Sequence, residues 1–491
     1  MRDGKKVVIT YGTYDLLHYG HIALLERARA LGDYLIVGVT SDAFDRSRGK
    51  LNVHQSLSDR LQAVAATGLV DEIVVEEYQG QKISDIKKYG VDIFAIGSDW
   101  EGKFDYLNNY CKVVYLPRTE GVSSTELRAE RIKTVKIGCI GSGYLMGRFI
   151  SESAHVAGVE LVGGFALPEE AAPAVRDAAS GGAASSGAAS APDASASDSP
   201  ASVYLENDVP VADDLQALLA ESDAVYIVAP IDEHRRYIEA ALEAGCHVLC
   251  ESPLFLSVED MRDMYALADE RGLVLMEALK TRYFPAYDHL KLMLESGVVG
   301  EVKDIDASFS HVFDALDMND RYQGSFYDMA SYICLPAVSF LGSDFVDSQL
   351  ICAYEGDFCT WAKCNLLYPS ASATLRVGRG MKTEGDMVIT GTKGYIYVPA
   401  PWWKIDYFEV RTEDLRNTKK YYYECVGQGQ RYELFEFVHL ISQKPADRNP
   451  QQGRDEVEAV TELMAQFHAN EVSVLGHGRY AFGGGERVDD R

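Results

Sequence analysis

The chain has 491 residues, 47% apolar and 25% charged, too long for one core and in keeping with two to four globular domains. A formal net charge of -27 excludes a general nucleic-acid binder, because phosphate backbones need a basic surface. No apolar run nears the ~20 residues that cross a bilayer, the first residues lack a signal peptide's apolar stretch, and the nine cysteines include no CxxC pair, so a cytoplasmic enzyme with reduced thiols and no metal-ligand set is expected.

Strand patterns at 7–10, 34–39, 72–75, 93–96 and 112–116 alternate with helical ones such as 22–31, which predicts a parallel sheet covered on both faces over residues 1–131. That stretch holds 17 Lys+Arg and 19 Asp+Glu, so nearly all the negative charge lies beyond it and the first region is the better host for anions. A fresh strand at 134–140 and a glycine-rich turn open a second βαβ series, with strands at 160–164, 224–228 and 247–250, and predict a Rossmann domain over 132–256. Within it, residues 171–202 are almost wholly Ala, Ser, Gly, Pro and Asp and read as a disordered insert, since they bury too little apolar area to offset ordering. Strand patterns at 303–309, 371–377, 387–390 and 395–398 mix with helices over 257–475 and predict an α+β domain with a largely antiparallel sheet, before a flexible tail at 476–491.

Two motifs carry chemistry in the first region. Tyr11-Gly12-Thr13-Tyr14-Asp15-Leu16-Leu17-His18-Tyr19-Gly20-His21 follows the first strand and opens the first helix, where free amides and the helix dipole favour phosphate. His18 and His21 face the same side of that turn, and Gly20 lets a ligand approach the backbone. Arg118-Thr119-Glu120-Gly121-Val122-Ser123-Ser124-Thr125 follows the fifth strand and supplies a cationic fork with hydroxyls and amides. Either motif alone reads as a helix cap; both together, at the same edge of one parallel sheet, make a nucleotide crevice.

These residues resemble the glycerol-3-phosphate cytidylyltransferase family, within the HxGH nucleotidyltransferase superfamily and its Rossmann-like fold. The resemblance spans 8–128 and includes "GSDWEGKFDYL" and "VVYLPRTEGVSSTELR", with Ser124 where the family has Thr. It implies CMP transfer from CTP to a polyol phosphate, glycerol 3-phosphate first, for teichoic acid or capsule synthesis. It implies a CTP site of Thr13, Tyr14, Asp15, Gly20, Asp99, Thr119, Gly121, Ser123, Ser124 and Thr125. His18, His21, Lys50 and Arg118 would be catalytic, Lys50 and Lys82 would reach the acceptor, and Mg2+ would accompany CTP. Gly68 stands where the family's close members place an Arg.

In the second region Gly141, Gly143 and Gly147 form a loose dinucleotide fingerprint after the strand at 136–140. No acid ends the next strand; Ala166 and Leu167 sit where a ribose-binding acid is expected, with Glu169 and Glu170 beyond. "EAGCHVLCESPLFLS", "LMEALKTRYFPAYDHLKLMLESGVVGEVKDI" and "ITGTKGYIYV" resemble the Gfo/Idh/MocA family of NAD(P)-dependent sugar oxidoreductases over 134–468. The family's Glu-Lys-Pro appears as Glu251-Ser252-Pro253, so its customary lysine is replaced by Ser252. Asp328 and Tyr332 match later site positions of some members, and Lys280 is a candidate replacement cation.

Two enzymatic readings stay open. In one, a cytidylyltransferase carries an oxidoreductase-like half that has lost its chemistry. In the other, that half is an active NAD(P)-dependent reductase that makes the polyol phosphate from a keto-sugar phosphate. A nucleotide-sensing interaction protein is the non-enzymatic reading. The expected partners are small-molecule substrates and further copies of the chain, with no nucleic acid and no membrane insertion.

Overall fold

The computed structural model describes residues 5–17, 19–47, 53, 55–78, 80–117, 134–156, 158–167, 200–312, 324–379, 381–423, 425, 427–443, 445, 448 and 453–475. The chain divides into two compact units, Met1–Lys133 with Tyr421–Val426, and Thr134–Lys420 with Gly427–Arg491.

The first unit is built on β1 (Val7–Gly12), β2 (Tyr34–Thr40), β3 (Glu72–Glu76), β4 (Ile93–Gly97) and β5 (Lys112–Leu116). All neighbours pair in parallel, in the order β3-β2-β1-β4-β5. The central strands are near-continuous apolar runs because both faces are covered. One face packs Leu25, Ala28 and Val64, and the other Ile86, Val91 and Leu107, from intervening helices and loops. These helices are α1 (Tyr19–Arg29), α2 (Asp42–Ser47), α3 (Leu57–Ala66) and α4 (Gln81–Tyr89). Ser56 caps α3 by accepting from the Asp59 amide at 3.2 Å. Gly68, where the family has Arg, follows the C-cap of α3 at φ +69°, so a side chain there would be strained. Strand order reverses between β1 and β4, which places a crevice at their carboxyl ends.

The second unit begins with β6 (Val135–Gly141), α5 (Gly143–Ser153), β7 (Val159–Phe165), α6 (Ser202–Leu205), α7 (Leu215–Glu221), β8 (Ala224–Val228), α8 (His234–Glu243), β9 (His247–Glu251), α9 (Val258–Glu270) and β10 (Leu275–Ala278). Its sheet is parallel in the order β10-β9-β8-β6-β7, with the reversal between β6 and β8. This sheet runs past the boundary expected at 256, because β10 pairs with β9. The expected insert at 171–202 lies outside the described residues up to 199, but its last residue, Ser202, already begins α6.

The chain continues through α10 (Pro285–Glu295), β11 (Val302–His311), α11 (Ser325–Phe340), β12 (Asp347–Glu355), β13 (Phe358–Leu367), β14 (Ser372–Arg379), β15 (Met387–Gly391), β16 (Tyr395–Val398), β17 (Tyr407–Arg411) and β18 (Lys419–Tyr422). Then follow α12 (Gln430–Ser442), α13 (Arg454–His468) and β19 (Ser473–Val474). The resulting nine-stranded sheet is mostly antiparallel, with parallel pairs at β11–β14 and β12–β19. Helix α12 returns to the Rossmann sheet, where Leu434 and Phe437 join the core of Ile137, Met146, Phe149 and Tyr226. Each such buried side chain contributes about 1.5–3 kcal/mol, so α12 is integral to the dinucleotide-type half. Among the described residues no helix is long and apolar enough to cross a membrane. All nine cysteines are free thiols.

Candidate active sites

In the first unit the turn after β1 is held from beneath by buried polar groups. Thr13 donates from Oγ1 to Asp45 Oδ1 at 2.7 Å. Asp15 is fully buried and accepts from the Gln55 amide at 3.0 Å, while Gln55 Oε1 accepts from the Leu16 amide at 2.7 Å. Tyr14 and Leu16 have φ of 55° and 47°, a left-handed conformation that side chains seldom adopt. That strain is offset by Arg60, whose guanidinium donates to the carbonyls of Thr13 and Thr40 at 2.7 Å each, to Gln55 O at 3.2 Å, and to Asp42. Arg60 is fully buried and also lies 3.6 Å from Asp45. The turn is thus fixed by buried groups of the chain itself.

Tyr14 packs edge-on to His21, ring centroids 5.5 Å apart, which directs the imidazole from the first turn of α1. Gly20 lies beside it in that turn. Asp99 is exposed on a 3-10 turn, Ser98–Trp100, directly after β4. The structure therefore brings Thr13, Tyr14, Asp15, Gly20, His21 and Asp99 to the carboxyl ends of β1 and β4. His18, Lys50, Arg118, Thr119, Gly121, Ser123, Ser124 and Thr125 lie outside the described residues.

Lys82, expected at the acceptor, lies in an enclosed position. It opens α4 at 7% exposure, and its ammonium pairs with buried Glu76 and sits 4.5 Å from the Tyr11 ring. Next to it Tyr11 donates to Asp85 at 2.9 Å, and burial together with Asp85 pushes that phenol far up. So held, the ammonium braces β3 against α4. Arg60 and Gln55 are the functional supports that sequence reasoning missed. Their only sequence signal is a long polar side chain just before or within the first turns of a capped helix, which ordinarily faces water.

In the second unit the glycine turn lies at the reversal between β6 and β8. Gly141 has φ 128°, and a Cβ there would lie 2.0 Å from Val228 O, so only glycine lets the two strand ends close. A Cβ on Gly143 would meet nothing within 4 Å at the start of α5, where Ser142 makes no side-chain cap bond. Tyr204 is fully buried and donates to Gly141 O at 2.6 Å. Gly147 packs on Val203 of α6, where an added Cβ would lie 3.2 Å from Val203 Cγ2. His234 ties the ends of β8 and β9 together, its ring nitrogens 2.9 Å from Ala229 O and 3.1 Å from Leu254 O. Leu167, after β7, is buried, and no acid occupies 166 or 167; Glu169 and Glu170 lie outside the described residues.

Glu251 ends β9 and accepts from the Tyr226 hydroxyl. Burial raises its carboxyl above the usual range, while Tyr226, Lys280 and Arg148 pull it back. Lys280, 5% exposed after β10, is thus brought within the field of Glu251, although Ser252 supplies no charge; Ser252 Oγ is itself buried without a hydrogen-bond partner. Pro253 is buried beside it. Tyr332 on α11 is buried, and its phenol is pushed up by burial first and then by Glu251 and Glu433. One turn earlier Asp328 pairs with Arg379 and accepts from the Gly324 amide at 3.1 Å. Glu251 thus lies within the field of Lys280, Tyr332 lies within that of Glu251, and Asp328 is held in an ion pair. Arg148 and Glu433 act on the same groups and were missed, because nothing in local sequence reveals that α12 returns to the sheet.

These dinucleotide-type features fit a nicotinamide cofactor. A Cβ on Gly143 would meet no atom within 4 Å, which leaves the start of α5 open to an anion, and Ser252 Oγ is buried without a hydrogen-bond partner.

Residues 9–130 match the family model described as cytidylyltransferase-like, and residues 135–279 match that of an oxidoreductase family with an NAD-binding Rossmann fold. Glycerol-3-phosphate cytidylyltransferase from Bacillus spizizenii is 52% identical over 125 residues, covering 26% of this chain and 96% of that protein. A dTDP-3,4-didehydro-2,6-dideoxy-alpha-D-glucose 3-reductase from Actinomadura kijaniata is 35% identical over 140 residues, covering 28% of this chain and 42% of that one. The crystal structure of a 3-ketoreductase from Actinomadura kijaniata, in complex with TDP-benzene and NADP, shares the fold of the second unit. The TM-score is 0.54 at 21% identity, over 68% of this chain and 96% of that one. The chain belongs, through its N-terminal region, to the glycerol-3-phosphate cytidylyltransferase family, and its second region is a Gfo/Idh/MocA-like oxidoreductase fold.

Proposed function

We propose that the chain is a bifunctional enzyme. Its first unit transfers CMP from CTP to a polyol phosphate, with glycerol 3-phosphate as the leading acceptor, giving CDP-glycerol and pyrophosphate for a cell-wall or capsular polymer. An oxygen of the acceptor phosphate attacks the α-phosphorus, and the bond from that phosphorus to the pyrophosphate breaks. The acceptor is largely dianionic near neutral pH and needs no strong base, so the work is alignment and charge stabilisation. His18, His21, Lys50 and Arg118 stabilise the transferring charge, and Thr13, Tyr14, Asp15, Gly20, Asp99 and the 119–125 turn hold CTP with Mg2+. The observation that carries this half is the 52% identity over nearly the whole of a relative with that name. A nucleotide-by-acceptor matrix read as pyrophosphate release tests it. Release with CTP and a polyol phosphate is expected, and no release with any pair would end the proposal.

The second unit acts as an NAD(P)-dependent reductase that forms the polyol phosphate from a keto-sugar phosphate. The bound nicotinamide would supply the hydride. Lys280 holds the proton at Nζ for the product oxygen, and Tyr332 orients that oxygen, with Glu251 in the field of Lys280. The Lys280–Glu251–Tyr332 grouping favours this over a half that has lost its chemistry, because a cation is present despite Ser252. NADPH and NADH absorbance with a panel of ketose phosphates is the test. Oxidation with one of them is expected; none with any would return this half to a scaffold role.

A further inference from the structure

After β1 the chain turns three consecutive side chains inward. Thr13 donates to Asp45, Asp15 takes the Gln55 amide at 3.0 Å, and Tyr14 between them enters the apolar core with Val8, Leu25, Ala28 and Leu35. Tyr14 is 1% exposed, so its ring offers almost no surface to a ligand arriving from solvent. Burial pushes its phenol far up, and the side chain stays neutral. The seat for that ring is built into the strand end. A Cβ on Gly12 would lie 3.0 Å from Tyr14 Cε2 and Cζ, so a side chain there would press on the ring. The backbone is held as firmly. Tyr14 has φ 55°, and buried Arg60 donates at 2.7 Å to Thr13 O, the carbonyl just before it. The ring meets the imidazole of His21, with centroids 5.5 Å apart and planes at 66°. Such an edge-on arrangement is a preferred one for two rings. His21 and Leu25 are four residues apart on α1 and share a face, so the side of α1 anchored in the core is the side that brings His21 to Tyr14.

We infer that Tyr14 has an indirect share in the CTP site: it is a positioning residue whose buried ring sets the direction of the His21 imidazole. This deepens the cytidylyltransferase reading above and rests on it. A histidine in the first turn of a helix can rotate about its side-chain bonds, and a donor stabilises developing charge best when it is already aimed before the reaction. The Tyr14 ring limits that rotation on one side. Behind Tyr14 stand Gly12, which leaves room for the ring, and Arg60, which holds the turn, so both act on His21 at one remove. Losing the ring frees the imidazole and leaves the other groups of the site in place. The loss therefore falls on stabilisation of the transition state and not on binding of CTP.

Magnetic resonance of the full chain, labelled with 13C at histidine, reads the contact without substrate. The ring protons of His21 are expected to carry a ring-current shift that disappears in Tyr14→Leu and stays in Tyr14→Phe, with His21→Asn identifying the signal. A His21 signal that is the same in the wild type and Tyr14→Leu would overturn the inference. Should Tyr14→Leu not fold, the wild-type chain must show a nuclear Overhauser contact between the two rings, and its absence overturns the inference equally. In turnover with CTP and a polyol phosphate, Tyr14→Leu should lose about tenfold to a hundredfold in kcat, the cost of a group misplaced by about an ångström, with the KM for CTP little changed. Tyr14→Phe, which keeps the ring, should recover most of that loss. A normal kcat in Tyr14→Leu, alone or with a raised KM for CTP, counts against the role, and so does a Tyr14→Phe chain as slow as Tyr14→Leu. The histidine signal reads the ring contact whether or not CTP is turned over, and pyrophosphate release by the wild type alone judges the transferase reading.

Discussion

Two buried lysines, one in each unit, show how differently a sheet edge can use the same side chain. Lys82 and Lys280 are 7% and 5% exposed. Lys82 is closed into a pair with Glu76 and lies over the Tyr11 ring, so its charge is spent on holding β3 and α4 together. Lys280 lies within the electrostatic field of Glu251 and Glu433, and Ser252 Oγ and Glu433 Oε2 are buried without a hydrogen-bond partner. Glu76 Oε2 also lacks a hydrogen-bond partner, so what marks Lys82 as a brace is its direct pair with Glu76 and the aromatic wall beside it.

The sharpest way to break this comparison is to remove each ammonium at constant length. Lys280→Met should lower reductase turnover by about 10²–10⁴-fold, the span of a lost acid–base group, while pyrophosphate release from CTP is kept. Retained NADPH oxidation in that variant would make Lys280 a brace like Lys82. Next in size, His21→Ala should cost about 10²–10³-fold in cytidylyl transfer, as for a lost charge-stabilising donor, with the fold retained because α1 is anchored by Leu25 and Ala28. Normal rates would leave the crevice between β1 and β4 without its proposed chemistry.

The strands were the most legible part of the molecule. Apolar runs at 112–116, 224–228 and 395–398 became β5, β8 and β16 with the same bounds, because strands buried on at least one face leave a period that survives in sequence. β12 and β13 did not stand out, since Gln349, Lys363 and Asn365 interrupt them on the less covered face. The turns at Thr13–His21 and Gly141–Gly147 were readable because glycine and histidine stand at fixed offsets from a strand end. Arg60, Arg148 and Glu433 were not, since each acts across many residues of sequence and only the fold says that its neighbourhood is dry. Lys82 shows the same limit: its pairing with Glu76 and the Tyr11 ring is visible only in the fold.

Lys82→Met sharpens that point through stability. The variant strands Glu76, 1% exposed, without its cation, and breaking a buried pair in this way costs about 3–5 kcal/mol. A clear fall in melting temperature is expected, with cytidylyl transfer at low temperature reduced far less than in His21→Ala. A stable protein with a strongly raised KM for the acceptor would instead return Lys82 to the phosphate site.

The smallest effect separates scaffold from chemistry within the second unit itself. Tyr204 donates to Gly141 O at 2.6 Å, and its ring fills the space beside Gly164, where an added Cβ would lie 2.3 Å from Tyr204 Cε1. Tyr204→Phe keeps the ring and removes one hydrogen bond, worth about 0.5–1.5 kcal/mol. The glycine turn then loses a fixed carbonyl but keeps its packing, so NADPH affinity should weaken by roughly two- to tenfold, since 1.4 kcal/mol is a factor of ten. Fluorescence titration of NADPH reads it directly. Turnover at saturating cofactor should stay near that of the wild type, because the hydroxyl touches the turn and not the Lys280 edge. A collapse of turnover with affinity intact would mean that the turn and the edge are coupled, and that the division between brace and chemistry drawn from the two lysines does not hold within this unit.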